Sequence, residues 1–230
     1  MTFADFLRLT FSYLVKAILM KRHLQLLAGV GVLILLASAP SFAQKDKKDP
    51  LPTTTPNYYP LQVDNAWTFK VTVGANSVDA ISRITKIEDI KGEKLARLEA
   101  TINGNVAATE HLRQTSEGIF RHRNNGQDIS PPICLLKYPV KANAKWDGDM
   151  VVGTEKGKYS CETKEEEVEV TAGKFKTIRV KIKLESQGKT IYTTYWFTPD
   201  VGFVKQTVEA GELNVVMDLQ KFELAKEKKK

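Results

Sequence analysis

The chain has 230 residues, a formal charge of +7 and 42% hydrophobic residues. That is long enough for one good core, and the modest charge excess, with no concentrated basic face, argues against nucleic acid as a partner. There are only two cysteines, Cys134 and Cys161.

Met20-Lys21-Arg22-His23 is a positive start, Leu24 to Ala37 is apolar, and Ser41-Phe42-Ala43 puts small residues at the −3 and −1 positions. Residues 1–43 therefore read as a signal region cleaved after Ala43, with Met20 as the true start. The apolar run falls short of the ~20 residues of a comfortable membrane span, so a retained anchor is the lesser reading. No lipoprotein-type cysteine follows it. Cleavage removes Arg8, Lys16, Lys21, Arg22 and Asp5, which lowers the charge from +7 to +4. The expected location is periplasmic or extracellular. In an oxidising compartment Cys134 and Cys161 become a candidate disulfide, the alternative being two buried thiols.

Residues 44–57, charged and then rich in Pro and Thr, cannot bury apolar surface and read as a disordered linker. From Tyr58 the chain alternates with period two. Trp67, Phe69, Val71 and Val73 share one face of a first strand, and Val78, Ala80, Ser82 and Ile84 one face of a second. Ala96, Leu98, Ala100 and Ile102 mark a third, closed by Asn103-Gly104, a strong hairpin signal. Val106 to Gln114 and Ile119 to Arg123 form the next hairpin. Its register sets Leu112 opposite Arg121, His111 opposite His122 and Glu110 opposite Arg123. Ser130-Pro131-Pro132 breaks the sheet, and Asp147-Gly148 reads as a turn. A hairpin about Lys156-Gly157 follows. A bulge between Phe175 and Ile178 would keep both inside and set Glu167 opposite Arg179.

Residues 191–219 form a three-strand meander. Ile191, Thr193, Tyr195 and Phe197 alternate with Tyr192, Thr194 and Trp196. A strand apolar on both faces is covered on both, or one face lines a pocket. Tyr195 is expected in the core, with Trp196 and Tyr192 lining a concave face. About a dozen short strands at this spacing predict an all-β domain over 58–224, a strongly curved antiparallel sheet or open half barrel, followed by a basic tail at 225–230.

The motifs that could carry chemistry are thin. Facing His111 and His122 lack a third ligand, and Arg113, Arg121 and Arg123 would repel a cation, so no metal is expected. Asp147-Gly148-Asp149 lacks the oxygens of a calcium loop. The stripe Arg179, Lys181, Lys183 is matched by Glu165, Glu167 and Glu169 on the partner strand. No nucleophile elbow, P-loop, dinucleotide fingerprint or zinc-protease motif occurs, so neither an enzyme nor a cofactor is expected.

Four stretches stand in a familiar order. They are Tyr58-Tyr59-Pro60-Leu61 with Asn65-Ala66-Trp67, Pro131-Pro132 before Leu135-Leu136-Lys137, Thr171 to Thr177, and Tyr195-Trp196-Phe197-Thr198-Pro199-Asp200-Val201-Gly202-Phe203-Val204-Lys205. Together they resemble the TapB-like exported bacterial β-sheet proteins of unknown function, with Asp200 where that pattern has Gly. The resemblance covers most of 58–222 and brings no catalytic residues. It implies likeness in outline to curved half barrels that carry lipoproteins across the periplasm, which is analogy of fold alone. The expected function is an exported, non-catalytic binding module holding a lipid-like or other hydrophobic ligand on a concave sheet face. The alternative is a structural or protein-interaction component of the envelope. No stable membrane span is expected after cleavage.

Overall fold

The computed structural model describes residues 56–225. The signal region, nearly all of the linker and the basic tail lie outside the described residues. Twelve strands run in sequence: β1 (Ala66–Val73), β2 (Asn76–Ile90), β3 (Glu93–Ile102), β4 (Asn105–Thr115), β5 (Gly118–Asn124), β6 (Gln127–Lys137), β7 (Lys145–Val152), β8 (Glu155–Val170), β9 (Gly173–Ser186), β10 (Lys189–Thr198), β11 (Gly202–Ala210) and β12 (Leu213–Glu223). Each pairs antiparallel with the next, and β1 pairs with β12 to close a barrel. The open half barrel expected from the sequence is corrected here. Phe69, Val71 and Val73 pair with Leu219, Met217 and Val215, so neither terminal strand is left as a free edge. The strands are also longer than expected, β8 reaching 16 residues.

Turn chemistry sets the hairpins. Asn103 and Gly104 both take positive φ, 51° and 78°, the geometry that matches the twist of flanking strands. Asp147-Gly148 is not a turn. It lies inside β7, where Gly148 makes room for a ring: a Cβ there would meet the Tyr159 ring at 2.8 Å. The turn that follows is Gly153-Thr154, ahead of the expected Lys156-Gly157.

The long β8–β9 hairpin holds one register throughout, with Val168 opposite Phe175 and Glu165 opposite Ile178. There is no bulge between Phe175 and Ile178, so these two side chains take opposite faces. Phe175 stays apolar by packing at the hairpin tip, where Val168, Val170 and Ala172 also lean on the core. The tip is tied across to β12 by the Ala172 amide, which donates to the Leu219 carbonyl at 2.9 Å.

One half of the barrel is filled by aromatics. Tyr59, Trp67, Phe69, Tyr195, Phe197 and Phe203 are at most 6% exposed. Phe69 and Phe203 stack at 4.8 Å, and Tyr59 meets Trp67 edge-on at 5.4 Å. The segment before β1 acts as the plug of this end. Tyr59 carries it inward, Asn65 Nδ2 donates to the Pro60 carbonyl at 2.7 Å, and Trp67 Nε1 donates to the Val201 carbonyl at 2.6 Å.

The seam between β6 and β7 is narrow: only Ile129–Val152 and Ser130–Val151 pair. Beyond Ser130 the prolines remove amide donors and the strands part. Side chains take over the ladder's task. The Cys134 amide donates to Tyr159 Oη at 3.4 Å, and Trp146 Nε1 donates to the Cys134 carbonyl at 3.0 Å. The prolines thus interrupt pairing with β7, while β6 stays paired to β5.

Gly118 should not tolerate a side chain. Its φ is +152° and a Cβ would sit 2.3 Å from the Leu136 carbonyl oxygen. Gly118→Ala is expected to lower unfolding free energy by ~1–3 kcal/mol, the usual range for overpacking. Urea denaturation measures it, and a variant as stable as the parent would contradict this placement.

Candidate ligand site in the barrel lumen

Strict alternation along β5 would put Arg121 and Arg123 on one face. The structure instead pairs Leu112 with Arg121 and His111 with Arg123, leaving His122 as the extra residue of a bulge. The sequence-derived register, with His111 facing His122 and Glu110 facing Arg123, is corrected accordingly. The bulge has a consequence for the site. Arg121, beside Leu112, and Asn124, beside Glu110, both turn inward although their positions differ by an odd number.

Inside the barrel Arg121 clasps Glu110 with two bonds, Nε to Oε2 and Nη2 to Oε1, each 3.0 Å. Nη2 also donates to Tyr195 Oη at 2.7 Å, from β5 across to β10. Such bidentate pairs are the strong class of charge-assisted hydrogen bond. Burial alone would lower the Arg121 pKa, but Glu110 and Tyr195 more than offset it, and the guanidinium is held more firmly charged than usual. Burial raises the Tyr195 hydroxyl above its ordinary range, with Arg121 pulling the other way.

These groups point inward, yet Glu110 keeps 24% and Arg121 13% of side-chain surface within reach of water. The inward positions around the pair carry small or half-buried side chains. Ser82, Ala100 and Ala108 form one row across β2, β3 and β4, all small. Tyr195, Gln206 and Met217 form another across β10, β11 and β12, with Gln206 and Met217 half-buried. Asn124, 5% exposed, has an Oδ1 with no hydrogen-bond partner among the described residues. The site therefore offers acceptors on Glu110 and Asn124 and a donor on Arg121, and Val208, Val215 and Ile102 are buried in the apolar core of the same barrel.

The residues singled out from sequence lie elsewhere. Tyr195 is in the core as expected, at 3% exposure. Trp196 and Tyr192 do not line the concave face, because alternation about Tyr195 turns both to the outer wall. Lys205 Nζ lies 5.8 Å from the Trp196 ring and Lys181 Nζ 4.8 Å from that of Tyr192. Tyr192 borders an outer groove of about 430 Å³ whose lining mixes charged side chains such as Lys181, Lys183 and Glu162 with Trp146 and Cys161.

Cys134 and Cys161 are separate buried thiols, which corrects the expected bridge. They sit on β6 and β8, and Cys161 Sγ faces the Cys134 carbonyl oxygen, 3.9 Å away, while Trp146 bonds that same carbonyl. Burial pushes the Cys134 thiol up to about 11 and the Cys161 thiol higher still. His111 and His122 serve different carboxylates, Glu88 at 2.5 Å and Glu93 at 3.0 Å. Among the described residues no three ligating side chains converge as a metal site would need. Glu167 is not opposite Arg179. Lys164 is, and Arg179 reaches Glu166 instead, at 3.5 Å.

No protein-family model matches the chain, so the TapB-like resemblance gains no support from one, and no curated protein matches it. Three solved structures are similar in outline. A candidate lipoprotein from Parabacteroides distasonis is 14% identical, with 74% of this chain and 100% of that chain covered and a TM-score of 0.45. A candidate exported protein with a YmcC-like fold from Bacteroides fragilis is 14% identical over 74% and 100% of the two chains, at 0.44. The hypothetical lipoprotein YmcC from Escherichia coli is 11% identical over 70% and 86%, at 0.36. At such scores the likeness does not extend to a shared ligand or role.

Two measurements check this geometry. Removing the hydroxyl that Arg121 donates to, Tyr195→Phe, should cost ~1–3 kcal/mol in chemical denaturation, since a charged donor loses its partner in the interior; no loss would mean the bond is absent. Thiols held protonated by burial react slowly. The folded protein at neutral pH should therefore take up no maleimide in minutes, and two labels per chain once denatured. Denatured, unreduced protein that takes up none would restore the disulfide.

Proposed function

We propose that the protein is an exported, non-catalytic binding module of the cell envelope that holds a mostly hydrophobic small ligand inside the barrel. The reading rests on one observation: the Glu110–Arg121 pair points into an apolar lumen while retaining water-accessible surface. Apolar residues of similar volume stabilise a core as well as a buried ion pair does, or better. A pair kept in a lumen beside Ala100, Ala108 and an unpartnered Asn124 oxygen therefore suits a ligand's polar end better than it suits packing. The signal-type sequence before residue 44 supports export. Glu110 is poorly placed for acid–base work, because both its oxygens are held by Arg121. The concave-face idea drawn from the sequence is retained in this form, with the ligand moved from Trp196 and Tyr192 to the other face of the wall.

The test is a fluorescence titration with N-phenyl-1-naphthylamine, an uncharged apolar dye. The parent should bind it. Ala108→Trp, which fills the lumen, should abolish binding with the circular dichroism spectrum unchanged, and Tyr192→Ala on the outer wall should leave it intact. Binding lost in Tyr192→Ala but kept in Ala108→Trp would move the site to the outer groove. No binding by the parent would favour the alternative, an envelope component that meets a protein partner.

A further inference from the structure

We infer that Glu110 makes the lumen select an uncharged ligand head group, a hydroxyl- or amide-bearing one, over a carboxylate or phosphate. This rests on the lumen being the ligand site.

The argument is one of charge and hydrogen-bond count. An inward arginine by itself would invite an anion. Here its charge is already met by two parallel bonds from Glu110. A ligand carboxylate entering the lumen faces a pair of net zero charge. To reach the guanidinium fork it must displace Glu110 and leave that carboxylate buried without its partner, which is costly. If it does not displace Glu110, two carboxylates share one guanidinium at close range, and like charges in a desolvated site repel strongly.

A neutral head meets no such obstacle. Arg121 Nη1 makes no hydrogen bond among the described residues, so it is a donor to spare. The lone pairs of Glu110 not used by Arg121, and the unpartnered Asn124 Oδ1, are acceptors to spare. A hydroxyl or primary amide offers both a donor and an acceptor and fits this set, whereas a carboxylate is acceptor-only and leaves the Asn124 oxygen unsatisfied. An ammonium head would be drawn to Glu110 but would sit against Arg121. Glu110 is thus a specificity-determining residue, and the bulge at His122 is the backbone device that sets Asn124, not Arg123, opposite it.

The test is displacement of the bound dye by two ligands of one chain length at pH 8, 1-monolauroylglycerol and laurate. The parent should favour the glyceride by about tenfold or more, and Glu110→Gln should reverse the order by a similar factor, since a lone buried guanidinium then remains. The double variant Glu110→Gln with Arg121→Gln removes both charges and should keep the parent's ranking, with the glyceride ahead of laurate. It also serves if the single variant fails to fold. Laurate binding the parent as tightly as the glyceride, or an unchanged ranking in folded Glu110→Gln, overturns the inference while the lumen remains a site. Failure of both ligands to displace the dye overturns the hydrophobic-ligand reading itself, and this inference with it.

Discussion

The pairing of β1 with β12 is the contact on which the rest of the molecule depends. Twelve strands in meander order would otherwise form a curved sheet with two exposed edges, each a row of unpaired amides and carbonyls. Closure satisfies those rows and creates an inside. Only then does alternation acquire its full meaning, because one face of every strand looks onto a common lumen and the other onto the outer wall. The outer wall carries ladders of opposite charge, such as Glu162 beside Lys181 and Lys205 beside Asp218.

A closed barrel of this many strands has more interior than ordinary side chains fill. The protein treats its two halves differently. One half is stopped by the segment before β1, whose Tyr59 joins Trp67, Phe69, Phe197 and Phe203 in an aromatic plug. The other half carries the small side chains Ala100, Ala108 and Ser82 and receives the Glu110–Arg121 pair. Tyr195 joins the two, its ring stacked on Phe197 at 5.5 Å and its hydroxyl bonded to Arg121.

The weakest part of the ring is the β6–β7 seam. Two residue pairs are little to hold two strands together, and side chains add to them where the strands part. Tyr159 and Trp146 reach across from the lumen to the amide and carbonyl of Cys134. Both cysteines lie buried beside this repair as free thiols, and burial holds each of them protonated.

Much of the fold was legible in the residues themselves. Period-two runs and turn residues such as Asn103-Gly104 and Asp200 located the strands and their antiparallel order, because side-chain direction and positive φ are local properties. The same local rules put Tyr195 in the core and Trp196 opposite it. Three things were out of their reach, all for one reason. Closure depends on whether strands 150 residues apart meet. Which of two apolar faces is concave depends on how the sheet curls, so Trp196 and Tyr192 were assigned to the wrong side. And the bulge at His122, invisible to a rule of strict alternation, puts Asn124 rather than Arg123 opposite Glu110 and so turns Asn124 inward. Glu110 and Arg121 look like scattered surface residues in the sequence, far from Tyr195. They become a site only when the chain has closed on itself and low dielectric surrounds the charges.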